Sequence, residues 1–120
     1  MSTMWFEGRE LPTFSGHYPA SHLREGEIYY SVSFIDKELL IPELEPKVFI
    51  GRDLASGDHG FLYFQDVSSY SNHVRYGTPS AGAVFDRYLE SQSSGVFDYE
   101  GALNELMRCS LRRQEAIRST

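Results

Sequence analysis

The sequence contains one cysteine and no long hydrophobic run. With Cys109 alone, no intramolecular disulfide can form, which excludes the disulfide-stapled class of small secreted domains and favours a reducing compartment. The longest uninterrupted apolar runs have three or four residues, whereas a membrane-spanning helix needs about 20. The first 16 residues also lack the basic and apolar regions of a secretory signal. We therefore expect a cytoplasmic protein with no membrane association.

Basic residues are also scarce, since 11 lysines and arginines face 17 aspartates and glutamates and the net charge is −6. A nucleic-acid backbone is bound through a basic surface, so nucleic acid is an unfavourable partner. The charge is uneven: four arginines against Glu115 give the last 13 residues +3, which leaves −9 on residues 1–107. The acidic part favours a basic protein partner, and the opposite charges also permit a homodimer.

The length and the hydrophobic content predict a single small globular domain over residues 1–120. Hydrophobic residues make up 41% of the chain and charged residues 23%, a balance typical of folded rather than disordered proteins. A domain of this size buries enough of its surface to fold without a disulfide or a structural metal. We therefore expect no cofactor and no metal.

Alternating apolar and polar residues predict an antiparallel sheet. The clearest strand covers residues 27–35, with Ile28, Tyr30, Val32 and Phe34 on one face. Residues 47–52 and 61–67 form a predicted hairpin across a loop of turn-forming residues. Another predicted strand covers residues 39–41 and is ended, or confined to a sheet edge, by Pro42. A short hairpin is predicted at residues 4–6 and 9–11. Residues 84–89 are predicted as a strand, with a helical turn as the alternative.

One helix is predicted, from about residue 98 to 117. Asp98 is a suitable N-cap, and the apolar side chains recur on one face at helical spacing: Tyr99, Ala102, Leu103, Leu106 and Ile117. Gly101 inside the first turns costs about 1 kcal/mol relative to alanine. The fold class is therefore α+β: a mainly antiparallel sheet of about five or six strands, with a strongly curved or barrel-like form as an option, and one C-terminal α-helix packed on it.

Two pairs of residues that include histidines are candidates for a metal site or an acid–base pair. His17 and His22 lie in one loop with a nearby carboxylate, the residue types of a metal site. However, Pro19 separates them and their spacing does not place them on one helix face, so surface histidines are favoured. Asp58 and His59 lie at the predicted hairpin tip, where an acid–base pair is the alternative to ordinary turn chemistry.

Three further side chains have individual predictions. Cys109 lies near positively charged arginines, but it flanks the apolar face of the helix, so we expect a packed thiol rather than a nucleophile. Tyr29 points away from the apolar face of residues 27–35 and is expected to be an exposed contact residue. Arg113 lies near the centre of the packed helix face, and we predict that it reaches a carboxylate of the sheet.

The sequence contains no nucleophile elbow, no P-loop and no dinucleotide-binding glycine pattern. We favour a non-enzymatic protein-interaction or regulatory module that uses its sheet face and loops to bind another protein. The alternative is a small-molecule-binding protein or a minor enzyme with a Tyr/His-lined pocket between sheet and helix. The candidate binding residues are Tyr29, His17, His22, Asp58, His59 and Arg113.

Overall fold

A computed structural model describes residues 2–13, 16–78 and 82–119 and shows an antiparallel sheet with a long helix on it. The strands are β1 (Ile28–Phe34), β2 (Pro42–Arg52), β3 (Phe61–Asp66), β4 (Phe85–Leu89) and β5 (Val96–Phe97). The helices are α1 (Val67–Ser71) and α2 (Tyr99–Arg118), with single 3-10 turns at Ala20–His22 and Glu90–Gln92. The predicted α+β class is confirmed, but the sheet is open, in the order β4-β3-β2-β1-β5, and the barrel-like option is wrong.

The strands at the centre of the sheet follow the sequence closely. β1 pairs with β2 from Ile28 opposite Val48 to Phe34 opposite Pro42, and β2 and β3 form the predicted hairpin. The register of that hairpin shifts between Phe49 and Gly51, which is a β-bulge. Residues 85–89 adopt the preferred strand, and β4 completes one side of the sheet by pairing with β3.

The predicted strand at residues 39–41 is a turn instead. The carboxylate of Asp36 accepts hydrogen bonds from the backbone N–H groups of Leu40, at 3.0 Å, and Ile41, at 2.8 Å. Burial alone raises the pKa of Asp36, but these backbone donors outweigh it and lower the pKa. β2 then begins at Pro42 rather than ending there, because the first position of a strand does not require a backbone N–H group.

The hairpin predicted at residues 4–6 and 9–11 is also wrong. Residues 2–12 form no regular secondary structure and instead form an arm whose base, at Arg9 and Pro12, is bound to α2. The guanidinium of Arg9 donates hydrogen bonds to Asn104, at 2.8 Å, and to Glu100, at 2.7 Å. The guanidinium of Arg108 donates to the carbonyl of Pro12 at 2.9 Å. Contacts with α2 therefore hold this segment in place of the predicted hairpin pairing.

The two faces of the sheet carry separate clusters of buried side chains. One cluster lies under the segment 18–23 and contains Leu23, Tyr29, Phe49, Leu62, Phe64 and Val96. On the other face, Val32 of β1 and Phe97 of β5 pack against Ala102 of α2. Residues of both parities in β1 are therefore buried, so alternation in this strand separates two packed faces rather than a core face from a solvent face.

α2 begins at the predicted N-cap. The side chain of Asp98 accepts a hydrogen bond from the backbone N–H of Gly101 at 2.8 Å, which satisfies one of the donors at the helix start. Tyr99 and Ile117 were expected on the packed face, but they are 63% and 74% exposed. Among the strands, α2 packs mainly against β1 and β5, and its side chains also contact the turn at residues 39–40 and the arm.

Candidate functional site

The six candidate residues lie in three regions of the molecule. His17, His22 and Tyr29 belong to the segment 17–29, at one end of β1. Asp58 and His59 lie in the loop between β2 and β3, and Arg113 lies on α2. Of these six residues, His22 and Tyr29 line a common cavity.

This cavity, called the Tyr29 cavity here, has a volume of about 610 Å³. It forms because β5 ends at Phe97, opposite Tyr30, so that the first residues of β1 border open space instead of a neighbouring strand. Its lining combines aromatic, basic and acidic side chains: Tyr18, Ser21, His22, Arg24, Glu27, Ile28, Tyr29 and Asp98. A concave site with a few convergent polar groups is the usual form of a small-ligand site.

Tyr29 forms the floor of the cavity and is not an exposed contact residue. Only 4% of its surface is exposed, and its hydroxyl accepts a hydrogen bond from the backbone N–H of Arg24 at 2.9 Å. The ring of Tyr18 packs against it with centroids 5.5 Å apart. The predicted direction of the side chain was right, but the segment 18–23 covers that face, so the expected exposure is wrong.

Tyr18 forms part of the cavity wall. Its hydroxyl donates a long hydrogen bond, 3.4 Å, to the carbonyl of His22, and the two rings meet edge to face with centroids 6.0 Å apart. Burial raises the pKa of Tyr18, and the neighbouring Tyr29 raises it further. The Tyr18 phenol is therefore neutral at physiological pH, so it can both donate and accept a hydrogen bond.

His17 does not line the Tyr29 cavity. It lines a separate concavity of about 270 Å³ on the other side of Tyr18, together with Glu90 and neighbouring serines. His17 and His22 are both exposed. Within residues 2–13, 16–78 and 82–119, no three His, Cys, Asp or Glu side chains are grouped so that they could hold a metal ion.

Asp58 is bound by residues other than the adjacent His59. It accepts hydrogen bonds from the hydroxyl of Tyr63, from the guanidinium of Arg87 at 3.2 Å and from the backbone N–H of Ala55 at 3.1 Å. The hydrogen bond from Tyr63 holds the pKa of Asp58 below its usual value. This carboxylate fastens the hairpin loop to β3 and β4, while His59 stays exposed.

Arg113 reaches the turn at residues 39–40 through a backbone group. Its guanidinium donates to the carbonyl of Leu40 at 3.3 Å, so the predicted contact with a carboxylate is wrong. Arg112 donates to the carbonyl of Leu39 at 2.9 Å. The left-handed φ of 60° at Leu39 makes this turn tight. The backbone carbonyls of the turn accept the hydrogen bond that was predicted to go to a side-chain carboxylate.

The thiol of Cys109 lies against the same turn. It contacts the carbonyls of Leu39 and Leu40 at 3.6 Å, and the residue is 3% exposed. The prediction that Cys109 is packed rather than accessible is confirmed. The turn and α2 are thus joined by one buried thiol and two arginine side chains.

A buried lysine on β2 was missed by sequence analysis. Only 7% of the Lys47 side chain is exposed, and its ammonium group lies 2.6 Å from the carboxylate of Asp86 and also donates to the hydroxyl of Tyr88. Burial alone lowers the pKa of Lys47, but these two hydrogen bonds outweigh it and raise the pKa. The alternation of Asp86 and Tyr88 on β4 is the only sequence signal for this cluster.

The arm leaves a group of large apolar side chains in solvent. Met4 and Phe6 are each 91% exposed and Trp5 is 89% exposed, although the contacts of Arg9 and Pro12 hold the base of the arm on α2. We refer to Met4, Trp5 and Phe6 as the apolar triad. These three residues were predicted as one strand of a short hairpin, and they form no strand in the structure.

A second surface feature is acidic. Where β1 pairs with β2, Ser31 lies opposite Glu45 and Ser33 lies opposite Glu43, and together they line a shallow concavity of about 350 Å³. Both glutamates are exposed. We refer to these four residues as the acidic sheet end.

Comparison of the chain with protein-family models, with curated proteins and with solved structures gives no match. None of the helices in the described part of the chain combines the length and the apolar character needed to cross a bilayer.

Proposed function

We propose that the protein is a non-enzymatic protein-binding module that anchors a basic partner protein through the apolar triad of its arm. The observation that carries this proposal is the exposure of Met4, Trp5 and Phe6, about nine-tenths each, in three consecutive positions. Aromatic side chains and methionine are enriched at protein interfaces, where they fill pockets on the partner. Contiguous exposed apolar side chains in a folded protein mark an interaction site or an aggregation hazard.

The attachment of the arm to α2 favours binding. Arg9 and Pro12 are fixed to the helix by hydrogen bonds of 2.7 to 2.9 Å, so the base of the arm is already ordered before a partner arrives. Ordering a segment on binding weakens affinity, and a preorganised segment avoids part of that cost. An extended chain rises about 3.3 Å per residue, so Trp5 can extend about 13 Å beyond Arg9.

The charge distribution supports a basic partner. Residues 1–107 carry −9, and the acidic sheet end presents two exposed glutamates. Opposite charges accelerate association and select against acidic competitors more than they increase affinity. We expect the apolar triad to supply most of the binding free energy, and the acidic surface to make association sensitive to salt.

The test compares two triple variants by quantitative mass spectrometry of co-purifying proteins. The first is Met4→Ser, Trp5→Ser and Phe6→Ser, and the matched control is Ile35→Ser, Val84→Ser and Leu111→Ser, which changes exposed apolar residues elsewhere. We expect a basic protein that binds the parent and the control alike and is depleted at least about tenfold with the arm variant, as for loss of interface hot spots. Equal recovery with all three proteins would overturn the proposal.

A homodimer is a separate outcome of the same comparison. If a second copy of the chain receives the apolar triad, the parent and the control sediment as dimers while the arm variant sediments as a monomer. If the partner is another protein, the purified parent is monomeric at micromolar concentration. Sedimentation velocity on the three purified proteins shows whether the apolar triad binds a second copy of the chain or a different protein.

The Tyr29 cavity supports a second candidate function, binding of a small molecule. The supporting observation is that a volume of about 610 Å³ brings Tyr18, His22 and Tyr29 together at the start of α2. The test is a thermal-shift panel of metabolites and metal ions on the parent, His22→Ala and His59→Ala. A ligand that stabilises the parent and His59→Ala but not His22→Ala supports this function, and no stabilisation anywhere in the panel contradicts it.

We further propose a cytoplasmic location for the module. The single cysteine is buried, and a chain without disulfides suits a reducing compartment. Fractionation of cells that express the tagged full chain tests this: recovery in the soluble cytoplasmic fraction is expected, and recovery in the medium or with membranes would contradict it.

A further inference from the structure

Another cavity lies beside the β-bulge of β2 and has a volume of about 360 Å³. Its lining contains an acidic residue, an arginine, two tyrosines, apolar residues and a buried amide: Glu25, Gly26, Ile50, Leu54, Gln65, Tyr70, Arg75 and Tyr76. We refer to it as the bulge cavity. None of its lining residues is shared with the Tyr29 cavity or with the arm.

Two glycines with left-handed backbone give the bulge cavity its shape. A Cβ atom on Gly26, where φ is 86°, would lie 3.2 Å from the hydroxyl of Tyr70. A Cβ atom on Gly51, where φ is 147°, would lie 3.0 Å from the Leu54 side chain and 3.4 Å from a carboxylate oxygen of Glu25. The absence of these two Cβ atoms therefore lets the polar ends of Tyr70 and Glu25 approach the backbone.

Gln65 lines this cavity and has a buried acceptor atom without a partner. The residue is fully buried, and its Nε2 donates to the hydroxyl of Ser69 and to the carbonyl of Val74, both at 2.9 Å. A carbonyl can only accept, so this second bond fixes the orientation of the amide. The Oε1 atom has no hydrogen-bond partner among the described residues. A buried acceptor without a donor is unfavourable, so the site is incomplete without one.

We infer that the bulge cavity binds an alkylammonium group, whose N–H donors reach Gln65 Oε1 and the carboxylate of Glu25. An ammonium group has three donors and a positive charge, which suits one neutral acceptor and one anionic acceptor. The ring of Tyr76 is a favourable surface for a cation, whereas the ring of Tyr70 already contacts the Arg75 guanidinium. The Ile50 and Leu54 side chains provide an apolar wall for the attached methylene groups.

The positive charge of Arg75 disfavours the binding of a cation, so removing that charge tests the sign of the ligand's charge. Its guanidinium lies 4.0 Å from the ring centroid of Tyr70 and donates to the carbonyls of Tyr70 and Val74. Removing its charge should strengthen the binding of a cation and weaken the binding of an anion. Removing the charge of Glu25 should have the opposite effect on each.

The test uses NMR titration of the full chain, observing the side-chain amide of Gln65. The probes are n-butylammonium, the neutral 1-butanol and the anionic butyrate. We expect n-butylammonium to shift the Gln65 amide, to bind about tenfold more weakly to Glu25→Gln and more tightly to Arg75→Gln. Glu115→Gln, an exposed site on α2, is the matched control and should leave the affinity unchanged.

The possible results distinguish two sources of the ammonium group, and others would overturn the inference. Nα-acetyl-lysine amide that binds as tightly as n-butylammonium indicates a lysine side chain of a protein, whereas a clear preference for n-butylammonium indicates a free amine. Binding of butyrate instead, reversed effects of the two variants, or no shift of the Gln65 amide would overturn the inference. The last result would mean that water alone satisfies Gln65.

Discussion

At the scale of single residues, Lys47 is a buried charged side chain of the sheet that depends on its hydrogen-bond partners for stability. An ammonium group with 7% of its side chain exposed is stable only because Asp86 and Tyr88 both accept hydrogen bonds from it. Asp86 itself is 34% exposed, so water continues to solvate that carboxylate. The two partners are therefore not equivalent: losing the lysine leaves a hydrated anion, whereas losing the aspartate leaves a buried cation.

This asymmetry gives the first prediction. Asp86→Asn is expected to lower the free energy of unfolding by about 3 kcal/mol, because the charge of Lys47 stays buried without a counter-ion. Lys47→Met is expected to cost no more than about 1 kcal/mol, because an apolar side chain of similar length fills the same space. Urea unfolding at neutral pH measures both. Equal costs for the two variants would contradict the assigned role of Asp86.

Asp66 gives a pH-dependent prediction at the same scale. Its carboxylate accepts a hydrogen bond from the Ser69 hydroxyl, and bonds from the N–H groups of Ser69 and Val84 at 2.9 Å. The Ser69 hydroxyl is the main cause that lowers the pKa of Asp66. A native pKa below the unfolded value of about 3.9 means that the contribution is present above pH 3.9. It is lost as the pH falls through the native pKa.

We therefore expect Asp66→Asn to be less stable than the parent at pH 7, because an amide offers one acceptor oxygen where the carboxylate uses two. The difference between the two proteins should narrow as the pH falls below 4, since the parent also loses the ionised carboxylate. Urea unfolding at pH 7 and at pH 3 measures this difference. A gap of constant size across that range would show that ionisation of Asp66 does not contribute to stability.

At the scale of elements, Gly101 in the first turn of α2 combines two opposing effects. Helix propensity alone favours alanine over glycine by about 1 kcal/mol. However, a Cβ atom at this position would lie 3.0 Å from the Asp98 carboxylate that caps the helix and 3.1 Å from Cβ of Phe97. Both neighbours are held in place, Asp98 by its bond to Gly101 and Phe97 by β5, so neither can easily move away.

The second effect should prevail, and Gly101→Ala is expected to destabilise the protein. Ser110→Ala, at an exposed position later in α2, is the matched control and should stabilise it by a few tenths of a kcal/mol through propensity alone. Thermal unfolding of the two variants against the parent measures both signs. A gain in stability for Gly101→Ala similar to that of the control would show that the crowding around residue 101 has no energetic consequence.

The elements that sequence analysis predicted correctly are those specified by local signals. Alternation defined β1, turn-forming residues defined the β2–β3 hairpin, and Asp98 marked the start of α2. The turn at residues 39–40 was missed because Asp36 reaches forward to backbone donors, which an apolar strand pattern does not reveal. β5 was missed because its two residues are too short for any periodicity.

The candidate site was harder to predict because it depends on contacts between distant segments. The direction of Tyr29 follows from alternation, but its burial depends on Tyr18 and the segment 18–23, which carry no strand or helix signal. The partner of Arg113 is a backbone carbonyl at Leu40, and every residue type offers that group. Sequence patterns identify which side chains have chemistry to offer, whereas packing decides what each one meets.

At the scale of the whole molecule, the residues proposed to bind a partner lie outside the buried clusters that stabilise the fold. One buried cluster lies between the sheet and the segment 18–23 and the other beneath α2, whereas the apolar triad is almost fully exposed. Substitutions in the triad should therefore leave the free energy of unfolding within about 0.5 kcal/mol of the parent, as is usual for exposed positions. Denaturation of the arm variant measures this, and a larger loss would mean that the triad also packs in the folded protein.

The measurement that tests the proposed function most directly is photo-crosslinking from position 5 in a cell lysate of controlled salt concentration. The probe, benzoylphenylalanine, replaces Trp5 in one protein and Tyr99 in the control, which is 63% exposed on α2. We predict that position 5 gives a discrete covalent adduct with one basic protein, that this adduct decreases at high salt, and that position 99 does not form it. If position 5 forms no adduct beyond those of position 99, the arm does not bind a protein partner.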